Sequence, residues 1–197
     1  MDTNFNEQDS LRVINEMIST ARGNLQRGAG KYFVLWGYVI CITALLHFVL
    51  QLDGFDDVSM PINVLWMASY TVGFGTTFAL AFINRKNILV QTYTDRIVCA
   101  IWVGFGCSAV FLNLFFGSAL QWFTYPVILV LYSFALSVSA KAYRFNWMYI
   151  SVAVSVICTC TYKFIPPLYY PIPMAIALFC GNIVPGHMLN YKAIKNA

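Results

Sequence analysis

Long charge-free apolar stretches, separated by short clusters of charge, constrain this sequence more than any other feature. The acids are Asp2, Glu7, Asp9, Glu16, Asp53, Asp56, Asp57 and Asp95, and Lys163 stands alone among the bases of the chain's second half until the tail, apart from Lys141 and Arg144. Between the clusters run apolar segments at 32–52, 61–83, 97–117, 120–140, 145–162 and 172–191. A helix rises about 1.5 Å per residue and the hydrocarbon core of a bilayer is about 30 Å thick, so about 20 apolar residues make a span. Lipid offers no hydrogen-bond partners, and a spanning backbone must satisfy itself as a helix or a closed barrel. These segments are continuous rather than alternating, which excludes a barrel.

The spacing therefore predicts an all-α integral membrane protein. The expected form is a six-helix transmembrane bundle of three antiparallel hairpins with an N-terminal amphipathic helix. Its parts are a cytoplasmic amphipathic helix and linker at 1–30, a six-span transmembrane domain at 31–191 and a short cytoplasmic tail at 192–197. Of the 197 residues 59% are hydrophobic and 10% charged, against about 25% charged in an ordinary soluble domain. That composition excludes a typical globular enzyme, a disordered chain and a nucleic-acid-binding domain.

Six spans place both termini on one side. That side carries Arg12, Arg22, Arg27, Lys31, Arg85, Lys86, Arg96, Lys141, Arg144, Lys192 and Lys195, while the other carries Lys163 and the acidic loop with Asp53, Asp56 and Asp57. Lys and Arg concentrate in cytoplasmic loops, so both termini are expected in the cytoplasm. Aromatic residues fall near both boundaries. Tyr32, Trp36, Tyr143, Trp147 and Tyr191 lie at the inner one, and Trp66, Tyr70, Trp122, Tyr125, Tyr162, Tyr169 and Tyr170 at the outer one. Rings with an apolar body and a polar handle suit such interfaces, and they are expected to be anchors.

Chemistry-bearing residues are sparse. No Asp, Glu, Lys or Arg sits in mid-span, where ionisable groups mark ion paths and proton relays. Neither a His-Glu-x-x-His, a Gly-x-Ser-x-Gly nor a Walker loop is present, so no enzyme activity, metal or cofactor is expected. The cysteines Cys41, Cys99, Cys107, Cys158, Cys160 and Cys180 all lie within spans and are expected to be free. His47 lies near the outer end of the first span and reads as an interfacial hydrogen-bonding group. Asn182, Pro185, Gly186 and His187 form the candidate polar site or hinge, because Pro185 and Gly186 should kink the last span below Asn182.

Small residues at spacing four let helix backbones approach in lipid. Ser69, Gly73 and Thr77 form such a stripe in the second span, and Ala100, Gly104 and Ser108 in the third. In the leader, Leu11, Ile14, Ile18, Ala21 and Leu25 follow a 3-4-3-4 seam. Gly23, Gly28 and Gly30 are expected to loosen its exit toward the first span. The seam either lies against the membrane or docks a cytoplasmic protein partner or a second copy of the chain.

In general layout the sequence resembles small multi-pass bacterial inner-membrane proteins, and no motif names a family. The expected function is that of a regulatory or scaffold protein. The alternative is a carrier or channel for a small neutral or hydrophobic solute, with Ser and Thr hydroxyls lining its path. Membrane lipids are the expected partners in either case, and nucleic acid is not.

Overall fold

A computed structural model describes the backbone of residues 7–52, 59–84 and 93–195. Among these residues every element is helical: α1 (Glu7–Leu52), α2 (Ser59–Asn84), α3 (Tyr93–Leu120), α4 (Thr124–Tyr143), α5 (Asn146–Thr161), α6 (Pro171–Leu178) and α7 (Val184–Lys195). Short 3-10 turns at Gln121–Phe123 and Pro167–Tyr169 precede α4 and α6. Five helical segments among the described residues are long and apolar enough to cross a membrane: Ala29–Leu52, Ile62–Ile83, Tyr93–Gly117, Thr124–Tyr143 and Pro167–Tyr191. The fifth expected segment, 145–162, forms the 16-residue α5, which spans about 24 Å. Tyr162 ends it and Pro166 and Pro167 hold the following chain out of helix.

The first departure from expectation lies in α1. Its backbone is helical from Glu7 to Leu52 without a break, through Gly23, Gly28 and Gly30. No linker separates the leader from the first membrane segment. Gly30 is buried, and a Cβ there would come within 3.0 Å of the Gly186 carbonyl oxygen. Packing against α7 thus overrides the low helix propensity of glycine. Residues 7–28 extend the helix about 33 Å beyond the segment that starts at Ala29.

Packing divides the molecule into an inner and an outer group. The inner group is α1, α4, α5 and α6–α7. The most extensive contact joins α1 to α7, the two ends of the described chain, and the next joins α4 to α5. Glycines make the first contact close. A Cβ on Gly186 would lie 2.9 Å from the Val34 backbone nitrogen, and one on Gly37 would lie 2.9 Å from the Asn182 Cβ. Leu129, Leu136, Met148 and Leu189 are fully buried at the centre. At the α4–α5 turn, Arg144 takes a left-handed conformation with φ 48°. The Arg144 N–H bonds to Lys141 O and the Phe145 N–H to Ala140 O, each at 3.3 Å, as in a Schellman motif.

The outer group is α2, which packs on α1, and α3, which packs on α4. Among the described residues, side chains of the pair meet across the gap. Asn113 Nδ2 donates to the Tyr70 hydroxyl at 3.1 Å, and the Phe74 ring lies over Gly106. Here a second expectation fails. Ala100, Gly104 and Ser108 are exposed, and a Cβ on Gly104 would meet nothing within 4 Å. The opposite face of α3 is the one used, where Val98 and Ala109 are buried and Trp102 and Phe105 half-buried. Trp102 explains the choice: its Nε1–H donates to Ser139 Oγ on α4 at 2.8 Å, and a buried indole takes the face on which its proton finds an acceptor.

Candidate functional site

Polar side chains gather at two depths of the bundle. The deeper set surrounds a π-helical turn at Phe179–Ile183, between α6 and α7. Its origin is Pro185. Proline has no N–H and its ring crowds the carbonyl four residues back, so an ordinary helix cannot run through Gly181 to Pro185. The chain widens one turn earlier, and the Val184 N–H bonds to Phe179 O instead of Cys180 O. Cys180 O is left without its usual partner, and Ser151 Oγ on α5 donates to it at 2.7 Å. Asn182 sits in the widened turn, 2% exposed, and its Oδ1 accepts the Tyr132 hydroxyl proton at 2.8 Å. Close by in sequence, Ser133 and Ser155 bond to each other at 2.7 Å.

The expected hinge residues are thus only partly brought together. Asn182, Pro185 and Gly186 are buried in the packed face of α6–α7, and the distortion centres on the π turn rather than at Pro185 itself. His187 is exposed and meets the Tyr38 hydroxyl at 3.3 Å. It shares no hydrogen bond with Asn182.

In the second span, Thr77 Oγ1 accepts the Trp36 Nε1–H at 3.0 Å, the Trp36 ring fills the space above Gly73, and Ser69 Oγ donates to its own helix at Trp66 O. Of the leader seam, Leu11 and Ile14 are exposed, together with Val13 and Met17. The side chains of Ile18, Ala21 and Leu25 lie outside the described residues. All six cysteines are free.

The shallower set was not apparent from the sequence. His47, 3% exposed, stands at the end of the bundle where α1 finishes. The Trp66 indole N–H donates to His47 Nδ1 at 3.2 Å, and the Tyr125 hydroxyl meets the same nitrogen. Trp66, Tyr70, Tyr125 and Tyr162 are buried in contact around it. Tyr162 and Tyr170 bond reciprocally, each hydroxyl donating to the other's carbonyl, at 3.2 and 3.0 Å. That clasp ties the end of α5 to the start of α6. Three buried polar atoms here have no hydrogen-bond partner among the described residues: His47 Nε2, Gln51 Oε1 and Thr124 Oγ1. Each such group costs about 1–3 kcal/mol.

The sequence alone reads these rings as interfacial anchors. A signal against that was available in α2, where Trp66, Tyr70, Gly73 and Thr77 recur at spacing 4-3-4 and so share one face with the small-residue stripe. No protein-family model matches the chain, and no curated protein or solved structure matches it either.

Proposed function

We propose that the chain is a multi-pass protein of a bacterial inner membrane that acts by interaction rather than by catalysis. It regulates or scaffolds a cytoplasmic partner, or a second copy of itself, through its leader helix. On this reading α5 is the sixth span. It is somewhat short, and local thinning of the bilayer and the outward reach of Lys163 accommodate the mismatch. The six spans form three antiparallel hairpins, and the distribution of Lys and Arg places both termini in the cytoplasm.

The observation that carries the proposal is the exposed apolar face at the start of α1. Leu11 is 60% and Ile14 51% exposed on a helix continuous with the first membrane segment. A helix that continues a span in one piece leaves the bilayer with it and does not bend into the headgroup plane. Its apolar side chains then stand in water, where burial against a partner is favourable by about 25 cal/mol per Å². The hydroxyls support the same reading. Ser69, Thr77, Ser133 and Ser155 are engaged within or between helices, and Ser108 is on the outer surface of α3. Hydroxyls engaged in this way serve helix packing, which supports the interaction reading over a solute path.

A photo-crosslinking residue at Ile14 in intact cells tests the proposal. The expected product is one discrete protein adduct, or a dimer, that Leu11→Glu abolishes. Adducts to lipid alone contradict it. Solute flux across reconstituted vesicles that disappears with Asn182→Leu would establish the carrier instead.

A further inference from the structure

The polar atoms left over around His47 take no part in the regulatory role, and they are arranged in a complementary way. The Trp66 indole reaches His47 Nδ1, and an indole nitrogen only donates. Nδ1 is therefore the lone-pair nitrogen, and the ring proton sits on Nε2. Nε2–H is buried and has no acceptor among the described residues. Four residues further along α1, Gln51 Oε1 is buried and has no donor. Positions four apart share a helix face, so α1 carries an unmet donor and an unmet acceptor on one face. Buried polar groups in folded proteins are overwhelmingly paired.

We propose that His47 and Gln51 form a binding site for the hydroxyl group of an uncharged alcohol. The ligand oxygen accepts the proton of His47 Nε2–H, and the ligand O–H donates to Gln51 Oε1. A hydroxyl does both with one atom. A carboxylate or a phosphodiester would leave Gln51 Oε1 without a donor, and an ammonium would leave His47 Nε2–H without an acceptor. Gln51 is half-buried and one residue from the end of α1, whereas His47 lies one turn deeper against Trp66 and Tyr125. The ligand thus approaches from the end of the helix and meets Gln51 first. Two sources supply this chemistry: the glycerol hydroxyl of a membrane lipid and a free polyol from the aqueous side.

The chain has only two histidines, which makes the site readable by nitrogen NMR. The experiment uses the full chain with ¹⁵N-labelled histidine in phosphatidylcholine nanodiscs. One arm adds dioleoylglycerol to the bilayer and the other adds glycerol to the buffer. The expected result is a saturable shift of the His47 Nε2 resonance in one arm, which identifies the source, with His187 unmoved. Gln51→Leu is expected to weaken the apparent affinity about tenfold, one hydrogen bond's worth. Its ligand-free spectrum should keep the Nε2–H tautomer, which shows that the Trp66 contact persists. If Gln51→Leu does not fold, Gln51→Met, which keeps the unbranched chain, takes its place with the same expectation. Four outcomes overturn the proposal: no shift in either arm, an equal shift at His187, a shift that both variants leave intact, or a ring proton on Nδ1. A resident water that neither probe displaces gives the first of these.

Discussion

The inner helices and the outer pair are built from similar residues and are held very differently. Of an 18-residue apolar stretch in each segment, 61% is buried within the protein in Pro167–Tyr191, 50% in Thr124–Tyr143 and 33% in Ala29–Leu52, against 22% in Ile62–Ile83 and 11% in Tyr93–Gly117. Yet α3, with three glycines and two serines, is richer in small residues of this kind than Pro167–Tyr191, which has two glycines and no serine. What differs is the partner across the contact. Gly186 receives the α1 backbone at Val34, and Gly73 receives the Trp36 ring, whereas Gly104 receives nothing. Hydrophobic burial drives helices together only weakly in lipid, so close van der Waals fit and interhelical hydrogen bonds decide which faces meet. A small residue in a membrane helix is an opportunity for contact, and a backbone or ring that approaches it closely makes it one.

The sharpest way to break this contrast is to fill the glycines. Gly186→Leu should cost about 3 kcal/mol, because its Cβ meets backbone that cannot shift cheaply. Gly104→Leu should stay within about 0.5 kcal/mol. Reversible unfolding in bicelles measures both, and equal costs would erase the distinction between the two groups. Cavity formation comes next. Leu136→Ala, at a fully buried position, should destabilise by about 2 kcal/mol, at the low end for cores because lipid gives little transfer free energy. Phe78→Ala on the exposed face of α2 should change little in the same assay.

A smaller effect probes the π turn. Ser151→Ala removes the donor that satisfies Cys180 O and should cost about 1 kcal/mol. Thr76→Ala, which loses only bonds within exposed α2, should be near neutral. The smallest effect has the opposite sign. Arg144→Gly relieves a left-handed conformation and should raise the stability of the inner group by up to about 1 kcal/mol. No gain in unfolding free energy would mean that the Arg144 side chain itself contributes to the turn.

The helical segments were legible because bilayer thickness is a length and charge is an unambiguous marker of where that length ends. Their observed bounds differ from the expected ones by a few residues, as at Thr124–Tyr143 against 120–140. α5, at Asn146–Thr161, keeps within one residue of the expected 145–162 at each end, and Pro166 and Pro167 shape the chain beyond it. The continuity of α1 was hidden. Glycine lowers local propensity at Gly30, and only the α7 backbone against it shows why the helix persists. Pro185 announced a distortion, but the register shift that places Asn182 against Tyr132 depends on which carbonyls find partners on α4 and α5. The ring cluster around His47 was concealed because a buried aromatic and an interfacial anchor occupy the same depth in a span.

The central claim is a filled and hydrogen-bonded inner group carrying a leader that stands free of it. Amide hydrogen exchange of the full chain in nanodiscs tests it directly. The account predicts slow exchange through residues 29–52, α4, α5 and α6–α7, and exchange within seconds to minutes at residues 9–17. Fast exchange along one face of α4 and α5 around Ser133 and Ser155, or protection of residues 9–17 in lipid alone, would contradict it.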